Sequence, residues 1–227
     1  MNKSTHIVRA EFHCHTRFSK DSLNNIQYVL DVCQRRGIDR IAITDHNTTA
    51  GALIARGLDP ERVIVGEEIK TTQGEILALF VKQEIPAGLQ PLEVIARLRD
   101  QDAFISVSHP FDLARSGHWE LENLLTIAPL VDAVEIFNSR CGRAIYNNQA
   151  QEFAHKHHLL GTAGSDAHSL VEIGRATLQL PVFHDAESLK HALKNAKLQG
   201  KLSAPWVHLS SRYAVWRKSW EISPSSP

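Results

Sequence analysis

Residues 7–46 read IVRAEFHCHTRFSKDSLNNIQYVLDVCQRRGIDRIAITDH, and this stretch predicts the fold. Ile7–Phe12 and Arg40–Thr44 are short runs rich in β-branched and apolar residues, which favour strands. Between them, Ile26–Arg36 repeats apolar residues at the spacing of an amphipathic helix and is followed by Gly37, a residue type that commonly ends helices. A strand, a helix and a second strand predict a βαβ unit.

The same alternation continues along the chain. The further predicted strands are Val63–Val65, Glu75–Val81, Phe104–Val107, Ala133–Phe137, Leu160–Ala163 and Ala176–Leu180, and the further predicted helices are Pro91–Gln101, Ala144–His158 and Glu187–Asn195. The sequence lacks the Gly-rich phosphate loop of dinucleotide-binding and P-loop folds. Repeated βα units without that loop favour a closed or partly closed (β/α) barrel, with a doubly wound open sheet as the alternative.

We expect one domain over residues 1–222 and a disordered tail at residues 223–227, where the composition is that of a flexible end. The chain has 25 basic and 25 acidic residues, so no net field attracts nucleic acid or an anionic membrane. The first residues lack the apolar core of a signal peptide, and no apolar run approaches the roughly 20 residues that span a bilayer.

The cysteine pattern favours a reducing compartment. Cys14, Cys33 and Cys141 are an odd number and have no paired spacing. We therefore expect a cytoplasmic protein without membrane contact. The sequence does not indicate the oligomeric state.

Candidate metal ligands follow five of the predicted strands by only a few residues. They are His13 and His15, Asp45 and His46, Glu68, His109, and Asp166 and His168. In a parallel barrel the carboxyl ends of the strands open on one face, where active sites lie. Residues two apart on an extended segment point the same way, so His13 and His15 can share an ion. Imidazole nitrogens mixed with carboxylate oxygens suit zinc, manganese or iron.

Each of these pieces also has a purely structural interpretation. An isolated His-x-His pair is often incidental, Asp45-His46 reads equally as a strand-to-helix turn, and His109 precedes a proline typical of turns. The metal-site interpretation is favoured because five histidines and several acids occupy five strand ends that one barrel mouth brings together. The remaining histidines lack this placement, and we assign them no role.

The motifs that carry the chemistry extend over about residues 7–180. They are Phe12-His13-Cys14-His15-Thr16 with Ser19 and Asp21, Thr44-Asp45-His46-Asn47-Thr48, Gly66-Glu67-Glu68-Ile69, Ser108-His109-Pro110-Phe111-Asp112 and Gly164-Ser165-Asp166-Ala167-His168. Together they resemble the motifs of the polymerase and histidinol phosphatase (PHP) family of metal-dependent phosphoesterases. The resemblance implies a distorted seven-stranded, TIM-like (β/α) barrel with up to three divalent ions in its mouth.

The resemblance also implies a ligand set. One ion is held by His13, His15, Glu68 and Asp166, and another by Asp21, His46 and His168. Glu68 bridges toward a third position that includes His109. Trinuclear members offer a further histidine before the His-Pro motif, but this chain has no histidine between His46 and His109, so we expect two ions. Glu75 is a candidate substitute for the missing ligand, and His109 is expected to complete the two-metal site or to aid catalysis.

Two positions depart from the family pattern or leave a choice open. Glu11 stands where the first motif of the family usually has aspartate, and we expect it either to support the metal ligands from behind or to be structural. The choice of Glu68 over Glu67 as the ligand rests on the family spacing from Gly66.

The expected reaction is hydrolysis of a small phosphomonoester, a nucleotide or another small metabolite, by a metal-activated water. Asp45 is expected to orient His46 or the attacking water. Arg115 and Arg140 follow strand-end motifs and are expected to bind phosphate, because guanidinium groups fit phosphate bidentately. A solvated loop arginine is the alternative for each.

Other functions remain open from the sequence. One is a phosphodiesterase or exonuclease acting on short oligonucleotides, although a neutral chain with few aromatics argues against a long nucleic-acid groove. A second is a metal-containing module that binds without turnover, and a third is amide or lactone hydrolysis on a similar metal barrel.

Overall fold

Strands and helices alternate through residues 6–222, the part of the chain that a computed structural model describes, with side chains described to residue 220. The strands are β1 (Ile7–Glu11), β2 (Arg40–Ile43), β3 (Val63–Lys70), β4 (Glu75–Leu79), β5 (Phe104–Val107), β6 (Ala133–Asn138), β7 (Leu160–Gly164), β8 (Ala176–Pro181) and β9 (Lys197–Gly200). The helices are α1 (Ile26–Arg35), α2 (Ala50–Leu58), α3 (Pro91–Arg99), α4 (Leu121–Ile127), α5 (Ala144–Lys156), α6 (Ala186–Leu193) and α7 (Val207–Ile222). The expected tail at residues 223–227 lies outside the described residues.

The strands form one sheet that nearly closes into a barrel. Its order is β7-β6-β5-β4-β3-β2-β1-β8-β9. Beyond the ends of β1 and β7 the two edges meet, because the Phe12 amide donates to the Ala163 carbonyl at 3.2 Å and the Asp166 amide donates to the His13 carbonyl at 2.8 Å. The sheet therefore follows the expected seven-stranded barrel from β1 to β7, and β8 and β9 extend it beyond β1.

Within the barrel from β1 to β7, one strand runs against the expected parallel arrangement, and β8 also pairs antiparallel with β1. β4 pairs antiparallel with both β3 and β5, with Lys70 opposite Glu75 at the β3–β4 turn. The turn is closed by Thr71, whose amide donates to the Gly74 carbonyl at 2.9 Å. β3 is accordingly longer than predicted, so Glu68 lies within the strand rather than after it. Because β4 is reversed, its first residue, Glu75, lies at the same mouth as the carboxyl ends of its neighbours.

Alternation along the strands separates two apolar layers. Ala42 and Ile64 belong to a cluster in the barrel interior, whereas Ile41 and Val63 belong to the cluster under the surrounding helices. Glu68 has the same parity on β3 as Ile64, so its side chain points inward. The interior cluster fills the barrel below the mouth and leaves the mouth to polar side chains.

α2 is a helix that the sequence pattern did not predict. It contains Gly51 and Gly57, which weaken a helical signal. Gly51 is required by packing, since a Cβ there would lie 2.2 Å from Oδ2 of Asp45. The close approach of α2 to the barrel therefore requires glycine at position 51. The same glycine lowers the helix propensity of the segment, which is why the sequence pattern did not predict this helix.

The segment after Leu180 had no assigned role and forms β9, α6 and α7. α7 lies beside the barrel mouth, where Nζ of Lys218 donates to the Arg17 carbonyl at 2.6 Å and the guanidinium of Arg140 donates to Oγ of Ser211 at 2.8 Å. Over residues 6–222, none of the helices combines the length and apolar character that crossing a bilayer demands.

Candidate functional site

His13 and His15 lie on the extended segment that carries β1 into the barrel mouth. Their Nε2 atoms are 3.1 Å apart, and both side chains are fully buried. Cys14, between them, pairs with Ala167 and belongs to the outer apolar layer, as the alternation predicts. Gly164 gives the pair its room, because a Cβ at that position would lie 2.2 Å from the Cβ of His13.

Hydrogen bonds fix which nitrogen of two histidines faces the mouth. Nδ1 of His13 lies 2.9 Å from Oε1 of Glu135, and Nδ1 of His168 lies 2.8 Å from the carbonyl oxygen of Asp166. Ionised carboxylates and carbonyls only accept, so each Nδ1 carries the proton. A neutral ring with its proton on Nδ1 presents the Nε2 lone pair to the mouth, which is the form in which histidine binds a metal.

Asp45 is linked to the His15 ring through Ser19, and its expected role in orienting His46 or the attacking water stays a prediction. Its carboxylate accepts from the Thr16 amide at 2.6 Å and from Oγ of Ser19 at 2.7 Å. Because Ser19 donates its proton to Asp45, it accepts from Nδ1 of His15 at 3.0 Å, which leaves the Nε2 lone pair free. Burial and the neighbouring imidazoles lower the pKa of His15 to about 3, so its ring is neutral.

Glu68 lies at the centre of the histidines. Its Oε1 lies 3.3 Å from Nε2 of His13 and 3.1 Å from Nε2 of His109. Its Oε2 lies 3.4 Å from Nε2 of His15 and 3.0 Å from Nδ1 of His46. One carboxylate therefore contacts the side chains of three strand ends and can bridge neighbouring ions.

Two aspartates complete the cluster around the same centre. Oδ1 of Asp166 lies 3.1 Å from Nε2 of His15. Oδ2 of Asp21 lies 3.3 Å from Nε2 of His168 and 3.6 Å from Nε2 of His46. The structure thus gathers all eight side chains that the sequence predicted as metal ligands.

Glu75 extends the cluster to a further position. Its Oε2 lies 3.5 Å from Nε2 of His109, which also contacts Glu68. The loop after β5 closes over Glu75, whose amide donates to the Gly117 carbonyl at 3.2 Å. A Cβ at Gly117 would lie 1.8 Å from Oε2 of Glu75, so glycine gives this carboxylate its space.

The donor set fits divalent metal ions. Three overlapping groups have ligand atoms that all lie within 4.8 Å of one another: His13, His15 and Glu68; His15, His46 and His168; and Glu68, Glu75 and His109. Within the described residues, Oε2 of Glu68, Oδ1 of Asp166 and Oδ1 of Asp21 are buried without a hydrogen-bond donor. Buried oxygens almost always have a partner. Carboxylate oxygens beside imidazole lone pairs indicate a cation as that partner.

Electrostatics keep two of the central carboxylates ionised. Burial opposes the charge of Glu68, but His13 and His46 outweigh burial and hold the pKa of Glu68 well below its usual range. Burial likewise opposes the charge of Asp166, and Arg115 followed by His13 holds its pKa well below the usual range. Both carboxylates therefore stay ionised and can bind a cation.

Glu135 was missed by sequence reasoning. It lies on β6, where Oε1 contacts Nδ1 of His13 at 2.9 Å and Oε2 accepts from the His109 amide and from Nδ2 of Asn138, both at 3.0 Å. It therefore orients two candidate ligands from behind. The available signal was an acid at an inward position of the apolar strand Ala133–Asn138.

Glu11 contacts the loop that carries Asp166 and does not reach the metal-ligand cluster directly. It is fully buried and accepts hydrogen bonds from Oγ of Ser165 and from the Gly174 amide. These contacts hold the loop that carries Asp166 against β1. Burial raises the pKa of Glu11 to about 7.

The two arginines expected to bind phosphate differ in their surroundings. One guanidinium nitrogen of Arg115 lies 2.6 Å from Oδ2 of Asp166, and within the described chain another, Nη2, has no hydrogen-bond partner. Arg140 is 4% exposed, and its guanidinium is directed to Glu172 at 3.4 Å and to Ser211 at 2.8 Å. These contacts tie α7 to the barrel, and Arg140 also lines the cavity above the cluster, so its expected contact with phosphate stays a prediction.

Above the cluster lies a cavity of about 780 Å³. His46, His168, Asp21 and Glu75 reach it from the cluster, and the basic side chains of its wall are Lys20, Lys70, Arg115, Arg140, His208, Arg212 and Lys218. The last three come from α7. The cavity thus joins a centre suited to cations to a wall suited to an anion.

Comparisons with known proteins agree with this site. The family described as PHP domain matches residues 11–92, and the family described as PHP-associated matches residues 144–198. The two matched segments contain every candidate ligand except His109. An uncharacterized protein of Methanocaldococcus jannaschii is 37% identical over 175 residues, which are 76% of this chain and 70% of that protein.

Two further proteins are similar to this chain, one in sequence and one in structure. The phosphoribosyl 1,2-cyclic phosphate 1,2-diphosphodiesterase of Eggerthella lenta is 34% identical over 86 residues, 34% of this chain and 32% of that protein. A two-domain protein of Bacteroides vulgatus, described as containing a predicted PHP-like metal-dependent phosphoesterase, has a crystal structure that matches this fold with a TM-score of 0.71. The identity is 17%, and the match covers 92% of this chain and 70% of that one.

Proposed function

The chain belongs to the PHP family of metal-dependent phosphoesterases, and from that premise we propose that it hydrolyses a small phosphomonoester, a nucleotide or another small metabolite. The observation that carries the proposal is the buried set of imidazole and carboxylate ligands at the floor of a basic cavity. Such a floor binds cations, and the wall above it attracts a phosphate.

We assign the ligands by contact. His13, His15, Glu68 and Asp166 would hold one ion, Asp21, His46 and His168 a second, and Glu68, Glu75 and His109 a third. The mixed nitrogen and oxygen donors suit manganese, zinc or iron. Two ions are supported by the histidine-rich groups alone, and Glu75 is the side chain on which a third depends.

Divalent ions supply Lewis acidity, which polarises a phosphoryl group and makes water acidic enough to attack it near neutral pH. The side chains of the protein would position the phosphate and the histidine ligands. Arg115 would donate to a non-bridging phosphate oxygen from the cavity wall, because guanidinium donors bind phosphate strongly. Asp45, through Ser19, holds His15 in its ligand orientation, and Glu135 does the same for His13.

The size of the cavity supports a small substrate. Its volume of about 780 Å³ falls in the range of roughly 300–1,000 Å³ for small-molecule sites. α7 and the loop after β5 wall it on two sides, which favours a substrate that fits the mouth over a long polymer.

The three cysteines are buried and unpaired, which supports the cytoplasm as the location.

The test is phosphate release from a panel of nucleotides and small phosphomonoesters by protein loaded with manganese or zinc. We expect turnover that disappears on chelation and returns with metal. Glu68→Gln serves as the inactive control and Glu67→Gln as the matched active one. Metal-dependent binding of panel members without release would indicate a binding module and would overturn the proposal.

A second candidate is cleavage of a phosphodiester. The cavity wall carries further basic side chains besides Arg115, among them Lys20 and Arg212, so a second phosphate or a nucleotide leaving group would have charged partners. The similarity to the phosphodiesterase of Eggerthella lenta supports this candidate. Dinucleotides and cyclic phosphates in the same panel separate the two reactions, because a phosphodiesterase would release nucleoside monophosphate before free phosphate.

A further inference from the structure

α7 exposes a row of large apolar side chains on the side that faces away from the barrel. Leu209, Tyr213, Trp216 and Trp220 are 63%, 54%, 54% and 66% exposed, respectively. The opposite side of the helix is small and buried, with Ala214 only 1% exposed. A helix that turns its bulky side chains outward leaves a surface typical of an interface.

The spacing of the row is that of a coiled-coil seam. The four residues follow one another at intervals of four, three and four, the pattern of alternating d and a positions. The rings also touch one another, with centroids 5.7 Å apart for Tyr213 and Trp216 and 5.5 Å apart for Trp216 and Trp220. The rings therefore form one continuous apolar strip against which another helix can pack. Rings in contact with one another do not offer separate gaps for planar ligands.

We propose that this strip pairs with the same strip of a second copy of the chain, with the two α7 helices antiparallel about a twofold axis near Ala214. In that register Leu209 packs against the partner's Trp220, and Tyr213 packs against the partner's Trp216. By symmetry the same two contacts recur on the other side of the axis. All four members of the strip are then covered, each by a large side chain.

Charge favours this arrangement over the alternatives. Arg212 and Arg217 flank the strip on its two sides, with Ser219 and Ser210 as the other flanking residues. In the antiparallel register Arg212 faces the partner's Ser219, and Arg217 faces the partner's Ser210. A parallel pair would instead place Arg212 beside the partner's Arg217, and like charges across an interface are unfavourable. A one-heptad shift of the antiparallel register would bring the two copies of Arg212 together.

The first test is the mass in solution, measured by light scattering after size exclusion from low to high micromolar protein. We expect the full chain to approach twice its mass of 25.4 kDa. Trp216→Glu should give a folded monomer, checked by circular dichroism. Leu92→Glu, a matched change at an apolar residue of α3 that is 53% exposed, should remain dimeric. A wild-type monomer at every concentration, or a Trp216→Glu dimer, would overturn the proposal.

The second test is the direction of pairing. Cysteines bridge only when their Cα atoms are within about 7 Å, and the natural cysteines are buried. A mixture of Arg212→Cys and Ser219→Cys proteins should therefore form an intermolecular disulfide on oxidation. A mixture of Arg212→Cys and Arg217→Cys should not. The reverse result, or binding of the strip to anionic phosphatidylserine vesicles by protein that stays monomeric, would overturn antiparallel self-pairing.

Discussion

Glu67 and Glu68 are neighbours on β3 whose carboxylates face opposite sides of the barrel wall. Glu68 points into the mouth and contacts four histidines at 3.0 to 3.4 Å. Glu67 points outward, where Oε2 accepts from the Ile85 amide at 3.0 Å and burial raises its pKa to about 8. The alternation of a strand thus separates a candidate metal ligand from a structural acid one residue away.

Glu68→Gln should lose metal, whereas Glu67→Gln should keep it. The amide at position 68 removes the charge that joins the ligand groups, so we expect metal affinity to fall by at least about 100-fold, the upper end for loss of an orienting partner. The side-chain amide that Glu67→Gln introduces can still accept from Ile85, and it resembles the protonated acid that Glu67 becomes below its raised pKa. Metal titration followed by competition with a chelator measures the metal affinity of both variants. Equal loss in the two variants would contradict the assignment.

Glu75 should decide the number of ions. Its carboxylate is one of three members of the group with Glu68 and His109, so Glu75→Gln should lower the metal content by one ion per chain. Glu75→His restores a donor at the same place and should restore the ion. Elemental analysis of the two variants provides the comparison. An unchanged metal content in Glu75→Gln would remove Glu75 from the ligand set.

Arg115 and Arg140 should fail in different ways when each is replaced by methionine. Arg115→Met removes a charged donor from the cavity wall, and kcat/KM should fall by about 10- to 100-fold. Arg140→Met removes the cation that pairs with buried Glu172, and the free energy of unfolding should fall by about 3 kcal/mol. Steady-state kinetics and urea unfolding of metal-loaded protein separate the two effects. An Arg140→Met protein of normal stability and impaired turnover would contradict this difference and would support the phosphate contact that the sequence predicted for Arg140.

Asp185 should give α6 a pH-dependent contribution to stability. Its side chain accepts from the Ser188 amide at 2.8 Å at the start of the helix, and hydrogen bonds from Ser188 lower its pKa. A lowered pKa in the folded state means that the contribution is present above the unfolded value and is lost as pH falls through the folded one. Asp185→Ala should cost about 1 kcal/mol at neutral pH, and this difference should shrink in acid. Asp185→Asn, which still caps the helix, should show no such trend in chemical unfolding.

The positions of the candidate ligands could be predicted because strand ends are visible in the sequence. A β-branched run followed by histidine or aspartate predicts both the strand and the mouth, and this pattern located residues such as His13, His109 and His168. The side chains that orient these ligands were harder to predict from the sequence. Glu135 lies within a strand and meets His13 across 122 residues of chain, a distance that no local pattern encodes.

Two other features escaped prediction for physical reasons. β4 is a short buried strand whose hydrophobic run does not reveal its direction. The sequence offered Glu75 as a candidate ligand, but the reversed direction that brings it to the mouth was visible only in the observed pairing. α7 carries its large apolar residues on the exposed side and Ala214 on the buried side. Rules that place bulky apolar residues toward the core would therefore turn the wrong side of this helix toward the barrel.

The measurement that tests the metal centre most directly is the metal content of the wild-type protein. The protein would be purified with manganese or zinc present and then passed into metal-free buffer before elemental analysis. The ligand groups predict two or three tightly held ions per chain, with loss of thermal stability when a chelator removes them. Less than one ion per chain, with no change in thermal stability on chelation, would contradict the assignment of this buried cluster as a metal centre.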